Sequence, residues 1–208
     1  MRIDKLSSAP DRAGRYRLEF EDGSVLRLYR QTVEDFGLFT GLELDESQLA
    51  KLREAAGQMS AKMRAVRIVS ASSVSKRDLE QRLIQKGEDP GQAKAAVAWM
   101  EDLNLIDDRK TAEQIVSRCA SKGYGLARAK QALYEKRIPK QLWEEALADY
   151  PDQSDNILEY LRGKLSDEAD SREVKRAIDA LMRRGHNYGQ IRRALKRLSL
   201  DADEFPEG

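Results

Sequence analysis

One cysteine, one histidine, five prolines and two tryptophans are all that a chain of 208 residues carries of those types. A lone Cys119 cannot close an internal disulfide, which excludes the disulfide-stapled class of small folds. His186 and Cys119 together fall short of the three or four ligands of an ordinary zinc site, so neither a metal nor any other cofactor is expected. No stretch approaches the roughly eighteen uninterrupted apolar residues of a membrane span. The N-terminus, Met1-Arg2-Ile3-Asp4-Lys5-Leu6, also lacks the apolar run of a signal peptide. These absences predict a cytoplasmic protein with no membrane partner. They also argue against an enzyme, because no nucleophile, base or paired-acid motif stands out.

What the chain has in quantity is charge. Charged residues make up 35% and hydrophobic ones 40%, and 37 Lys and Arg against 36 Asp and Glu leave a net charge of only +1. Such usage belongs to helices with densely charged outer faces. Any attraction to nucleic acid must come from a local patch, since the whole molecule supplies none.

The first 60 residues read differently from the rest. Tyr16, Leu18 and Phe20 alternate with polar residues, the period of a half-buried strand, and Asp22-Gly23 supplies a tight turn into Val25-Leu26-Arg27-Leu28-Tyr29. An isolated hairpin is barely stable in water, so Val33, Phe36, Leu38 and Phe39 are expected to cover its apolar face. Residues 44–53 then open a helix, capped by Asp45 or Ser47, with Leu49 and Leu52 turned inward. A docking module and a small lid that finishes the fold are equally good readings of this segment.

Beyond it the chain repeats. Shifts of 50 and then 48 residues superpose Leu79, Ala129 and Ala177; Leu83, Leu133 and Leu181; and Ile84, Tyr134 and Met182. After a turn at Gly87, Arg137 and Gly185 come Ala93, Trp143 and Ile191, then Ala96, Ala146 and Ala194, then Val97, Leu147 and Leu195. Steps of three and four mark two amphipathic helices per copy, stopped at the Gly87-type position and restarted by Pro90 and Pro139. A further helix precedes each pair, at residues 61–70, 108–122 and 156–165. Trp143 is expected in a core, and His186, aligned with Glu88 and Ile138, takes the place of an ordinary turn residue. The predicted fold is therefore mainly α. It is an elongated, curved array of three tandem three-helix repeats (61–105, 106–153 and 154–200), preceded by a small β-hairpin and helix module (1–60) and followed by an acidic tail (201–208).

Between the helices of the second copy, Gly123 and Gly125 flank Tyr124 and let the chain change direction. No strand precedes them and no Gly-Lys-Ser/Thr follows, so a nucleotide cradle is not the reading. Asp107 is placed to cap the helix that follows it, with Asp108 near the positive end of its dipole. Leu105-Ile106-Asp107-Asp108, followed by Ala112, Val116, Arg118, Gly123-Tyr124-Gly125, Arg128, Leu133 and Lys136-Arg137-Ile138, resembles the central repeat of the RecX family. Residues 75–87 and 172–198 look like that family's first and last repeats, so the likeness covers about two thirds of the chain. It implies a non-enzymatic, monomeric modulator that lies in the helical groove of the RecA filament. The modulator would chiefly inhibit ATP hydrolysis, strand exchange and coprotease activity. The likeness is weakest over the N-terminal module, which shorter members largely lack.

Charge is segregated along the repeats. Arg118, Lys122, Arg128, Lys130, Lys136, Arg137 and Lys140 face one acid, Glu135, in the second copy. Arg172, Lys175, Arg176, Arg183, Arg184, Arg192, Arg193, Lys196 and Arg197 outnumber Glu173 and Asp179 in the third. These cations, Lys140 aside, are the candidate contacts to RecA or to single- or double-stranded DNA, since lysine and arginine on helices neutralise phosphates. The competing reading is solvated surface, worth about 0–1 kcal/mol per exposed pair. A helical DNA-binding transcriptional regulator is the rival function, because three-helix units with basic faces also build helix-turn-helix modules.

Overall fold

The structure is a computed structural model that describes residues 1–166 and 169–198, so the acidic tail lies outside the described residues. The fold is mainly helical, with a small sheet at its N-terminus, and it divides into two compact units, Met1–Asp107 and a second that begins at Asp108.

In the first unit the expected hairpin is present, formed by β2 (Arg15–Phe20) and β3 (Val25–Tyr29) paired antiparallel with Leu18 opposite Leu26. A third strand, β1 (Ile3–Leu6), pairs with β2 and was not legible in the pattern, because only Ile3 of its four residues is fully buried. The turn uses one left-handed residue, Gly23, whose N–H reaches the carbonyl of Phe20 at 2.9 Å. Ile3, Leu18, Phe20 and Leu28 form the apolar face, and Leu38, Leu44, Leu49 and Leu52 bury it, with Val33 and Phe36 packed at the margin. Phe39 does not take part, contrary to expectation, and is 57% exposed. Helix α1 (Arg30–Asp35) stops at Gly37 (φ 55°), which turns Leu38 back onto the sheet and leaves Phe39 facing outward.

Helices expected separately at 44–53 and 61–70 are one: α2 runs Glu46–Ala71, started by Asp45 and Gln48 in a capping box, so the position between residues 60 and 61 lies inside a helix. Gly57 does not break it. A β-carbon there would stand 2.3 Å from the Gln92 side chain, so the glycine admits a close neighbour from α4 (Pro90–Asp102). The first half of α2 closes the sheet core. Its second half, through Ala61 and Ala65, packs with α3 (Lys76–Gln85) and α4 around Leu79, Leu83, Ala93, Ala96 and Met100.

The second unit contains α5 (Asp108–Ser121), α6 (Leu126–Glu135), a short 3-10 turn (Lys140–Leu142) running into α7 (Trp143–Leu147), α8 (Ser154–Arg162), α9 (Ser171–Arg183) and α10 (Tyr188–Arg197). Pro90 starts α4 as expected, whereas Pro139 precedes only the 3-10 turn, and the helix behind it has five residues. With so short a helix Trp143 is half-buried, not engulfed, against Ala112, Val116, Leu133 and Ile138, and its indole N–H donates to the Ile138 carbonyl at 3.0 Å. The α8–α10 triple is better filled, by Ile157, Leu161, Val174, Leu181, Ile191 and Leu195.

One device recurs at every repeat turn. Gly87, Arg137 and Gly185 all take positive φ (89°, 54° and 84°). The N–H of each next residue, Glu88, Ile138 and His186, returns to the carbonyl of Leu83, Leu133 and Leu181 at 3.1, 3.0 and 3.1 Å. This is the Schellman helix stop, which turns the residue after the left-handed position back onto the helix it ends. Glu88, Ile138 and His186 are accordingly all buried, so His186 is no ordinary turn residue. One residue past Leu133 and Leu181 the chain is not core, with Tyr134 64% and Met182 46% exposed, whereas Ile84 after Leu83 is partly buried against the core of the first unit.

Candidate interaction surface

Helix α9 buries Val174, Ala177, Ile178 and Leu181, steps of three and four that leave Arg172, Lys175, Arg176 and Arg183 exposed. Helix α10 buries Ile191, Ala194 and Leu195 and exposes Arg192, Arg193, Lys196 and Arg197. Residues 192 and 196, and 193 and 197, are four apart, so each pair is stacked along one line of the helix surface. One of the two nearby acids is spent elsewhere: Glu173 accepts from the Asp170 N–H at 3.1 Å in the capping box that starts α9.

The second-copy cations are more dispersed. Arg118, Lys122 and Arg128 surround buried Cys119, whose thiol burial pushes up in pKa despite those charges. The guanidinium of Arg128 pairs with Glu135 at 3.1 Å, so the one acid of this block neutralises one of its members. Lys130 and Arg137 are exposed on and just beyond α6, and Lys136 is half-buried. Arg184 is also half-buried, its guanidinium carbon 5.7 Å from the ring centre of Tyr124 and 5.2 Å from that of Tyr160.

Arg184 belongs to a joint between the two helix triples of this unit. The Gly125 N–H donates to the Arg184 carbonyl at 2.9 Å and the Ala127 N–H to the Gly185 carbonyl at 3.2 Å. The Nε2 of His186 lies 3.1 Å from the Gly123 carbonyl, which can only accept, so Nε2 carries the proton and donates. Burial first, and the Arg184 charge after it, hold the His186 pKa below its ordinary value, although the Gly123 carbonyl works the other way. Tyr150 closes the joint by donating to the Tyr124 carbonyl at 2.6 Å, and burial pushes its hydroxyl up to about 12. Among the described residues no group of three or more His, Cys, Asp or Glu could hold a metal ion, and no helix is long and apolar enough to cross a membrane.

Comparison with known proteins bears on this arrangement. Residues 107–147, the stretch from the start of α5 to the end of α7, match the family description of RecX, second three-helix domain. The regulatory protein RecX of Clostridioides difficile is 24% identical over 210 residues, covering 98% of both chains. That of Streptococcus sanguinis is 24% identical over 91% of this chain and 75% of its own. A crystal structure of regulatory protein RecX superposes with a TM-score of 0.62 at 20% identity, over 95% of this chain and 98% of that one. The chain is similar to RecX regulatory proteins over nearly its whole length and shares their fold. Those relatives carry the name regulatory protein, and the RecX structure from Lactobacillus salivarius shares the fold at a TM-score of 0.59 over 70% of this chain.

The exposed cations of α9 and α10 are legible in the sequence, whereas the joint is not. Gly125 lies 60 positions before the adjacent Gly185 and His186, and no local pattern announces that their backbones meet. The signal that could have found them is the alignment itself, which places a left-handed glycine beside the one histidine where the first copy has Gly87 and Glu88.

Proposed function

We propose that this chain is a RecX regulator that binds the RecA filament within its helical groove and lowers RecA's ATPase, strand-exchange and coprotease activities, acting as a monomer and catalysing no reaction itself. The observation that carries the proposal is the double row of exposed cations on α10, flanked by those of α9, in a chain whose relatives over nearly its whole length are RecX regulators. Arg172, Lys175, Arg176, Arg183, Arg192, Arg193, Lys196 and Arg197 form the principal contact face. Arg118, Lys122, Arg128, Lys130, Lys136, Arg137 and Arg184 extend it through the second repeat. Filament-bound DNA supplies phosphates that such a face neutralises, and binding then weakens steeply with salt. In this reading residues 61–105, 106–153 and 154–200 act as the three repeats and 1–60 as the module that orients them.

The test is RecA ATP hydrolysis on single-stranded DNA with and without the protein. Inhibition at substoichiometric amounts, with no hydrolysis by the protein alone, is the expected result. No effect across a wide concentration range, together with a salt-resistant preference for one duplex sequence, would transfer the assignment to a helical DNA-binding regulator.

A further inference from the structure

The first unit holds a cavity of about 410 Å³ that the RecA reading does not use, and its lining is unusual in charge. Arg15, Arg64, Arg67, Arg82 and Lys86 line it, and no aspartate or glutamate does. They come from strand β2, helix α2 and the α3 stop, elements of one compact unit. None of them stood out as a cluster in the sequence, because they are spread over more than 70 positions.

Their carboxylate partners sit outside the lining. Asp11 holds Arg15 at 2.9 Å, Glu88 holds Arg64 at 2.6 Å, and Asp78 holds Arg82 at 2.9 Å. The Glu88 and Asp78 side chains are each only 7% exposed, so these two pairs are held in place more firmly than surface pairs. A guanidinium has five N–H donors, and each of these pairs leaves donors to spare. Arg67 is fixed differently, through 2.7 Å to the Ala13 carbonyl and 3.1 Å to the Tyr29 hydroxyl, both uncharged. Neither Arg67 nor Lys86 has an ion-pair partner among the described residues. Five cations against three carboxylates leave an excess of two positive charges at the cavity.

We propose that this cavity binds a phosphate dianion, carried as a nucleoside monophosphate or free in solution. A phosphate monoester bears nearly two negative charges at neutral pH and three acceptor oxygens, matching the excess charge and the forked donors around it. The volume falls in the roughly 300–1,000 Å³ range of small-molecule sites. Ile68 and Ala71 complete the lining with apolar surface on which a sugar or base can rest. A phosphodiester, with a single charge, fills the site less well, so the site differs in kind from a face that tracks a nucleic-acid backbone. The proposal is independent of RecA binding.

The test is calorimetric titration of the full chain with thymidine 5′-monophosphate, inorganic phosphate, thymidine and the dinucleoside TpT. The monophosphate binds, and thymidine and TpT bind at least about tenfold more weakly. A monophosphate tighter than inorganic phosphate assigns the site to the ester, and equal affinities assign it to free phosphate. Lys86→Glu weakens binding about tenfold or more with unchanged helicity, and Arg67→Ala does likewise; Lys86, whose side chain is exposed and whose α3-capping contacts are made by its backbone, keeps the test valid if the Arg67 variant unfolds. Reversal of Arg192, Arg193 and Arg197 leaves this binding intact. No saturable binding of either phosphate, TpT binding as tight as the monophosphate, or unchanged affinity in Lys86→Glu overturns the proposal.

Discussion

Gly125 and Gly185 meet backbone to backbone: a β-carbon on Gly125 would stand 2.0 Å from the Gly185 carbonyl oxygen, and one on Gly185 would stand 2.3 Å from the Arg128 nitrogen. No flexible side chain can swing aside at either point, because the atoms in the way are main chain or, at Gly185, also the Arg128 β-carbon fixed to it. Two glycines that look like helix punctuation are therefore the condition for the second and third helix triples to dock. The two hydrogen bonds that follow, from Gly125 and Ala127, depend on that approach.

Gly185→Ala and Gly87→Ala separate docking from turn geometry. Both positions have positive φ, but a β-carbon at Gly87 meets nothing within 4 Å. Gly87→Ala is expected to cost only the left-handed penalty of about 1–2 kcal/mol. Gly185→Ala adds the displacement of packed backbone and costs at least about 1–3 kcal/mol more. Urea unfolding of the two variants measures the difference, and equal losses would remove the docking role.

The same reasoning reverses at Arg137, which holds the left-handed position of the second repeat with a side chain (φ 54°). Arg137→Gly relieves a strain of about 1 kcal/mol and is expected to raise the unfolding midpoint modestly. A lower midpoint would mean that the contacts of the arginine side chain outweigh its backbone cost.

His186 gives the second unit a pH dependence of predictable sign. Its pKa in the fold lies below the 6.5 of an exposed histidine, first through burial and then through the Arg184 charge. The unfolded chain therefore takes up a proton that the folded chain resists, and this contribution to stability, complete above pH 6.5, is lost as pH falls below it. Thermal melts from about pH 7 down to 5 are expected to fall in wild type and to fall less in His186→Gln, which keeps a donor but does not titrate. Parallel curves would show that His186 does not set the slope.

On the proposed contact face, Arg192→Glu, Arg193→Glu and Arg197→Glu together are expected to abolish RecA inhibition and the salt-dependent part of DNA binding, with the helical circular dichroism unchanged. All three side chains are exposed and lie outside the apolar core of α8–α10. Inhibition that survives the triple reversal would move the working face elsewhere.

Three-residue and four-residue steps, helix starts such as Asp45 and Pro90, and the recurrence of Leu83, Leu133 and Leu181 are local properties, and local properties are written in the order of residues. From them the helical class, the internal repeat and the charged faces of α9 and α10 follow without a structure. Strand β1 escaped because a four-residue strand with one deeply buried side chain carries almost no period. The continuity of α2 escaped because the two expected helices are separated by a segment holding Gly57, and only the tertiary structure sets Gln92 against that glycine. Which turn residues face inward, which glycines admit a neighbouring backbone and which distant arginines share one cavity are decided only by tertiary packing. Those contacts join positions tens of residues apart, where spacing along the chain carries no information about distance in space.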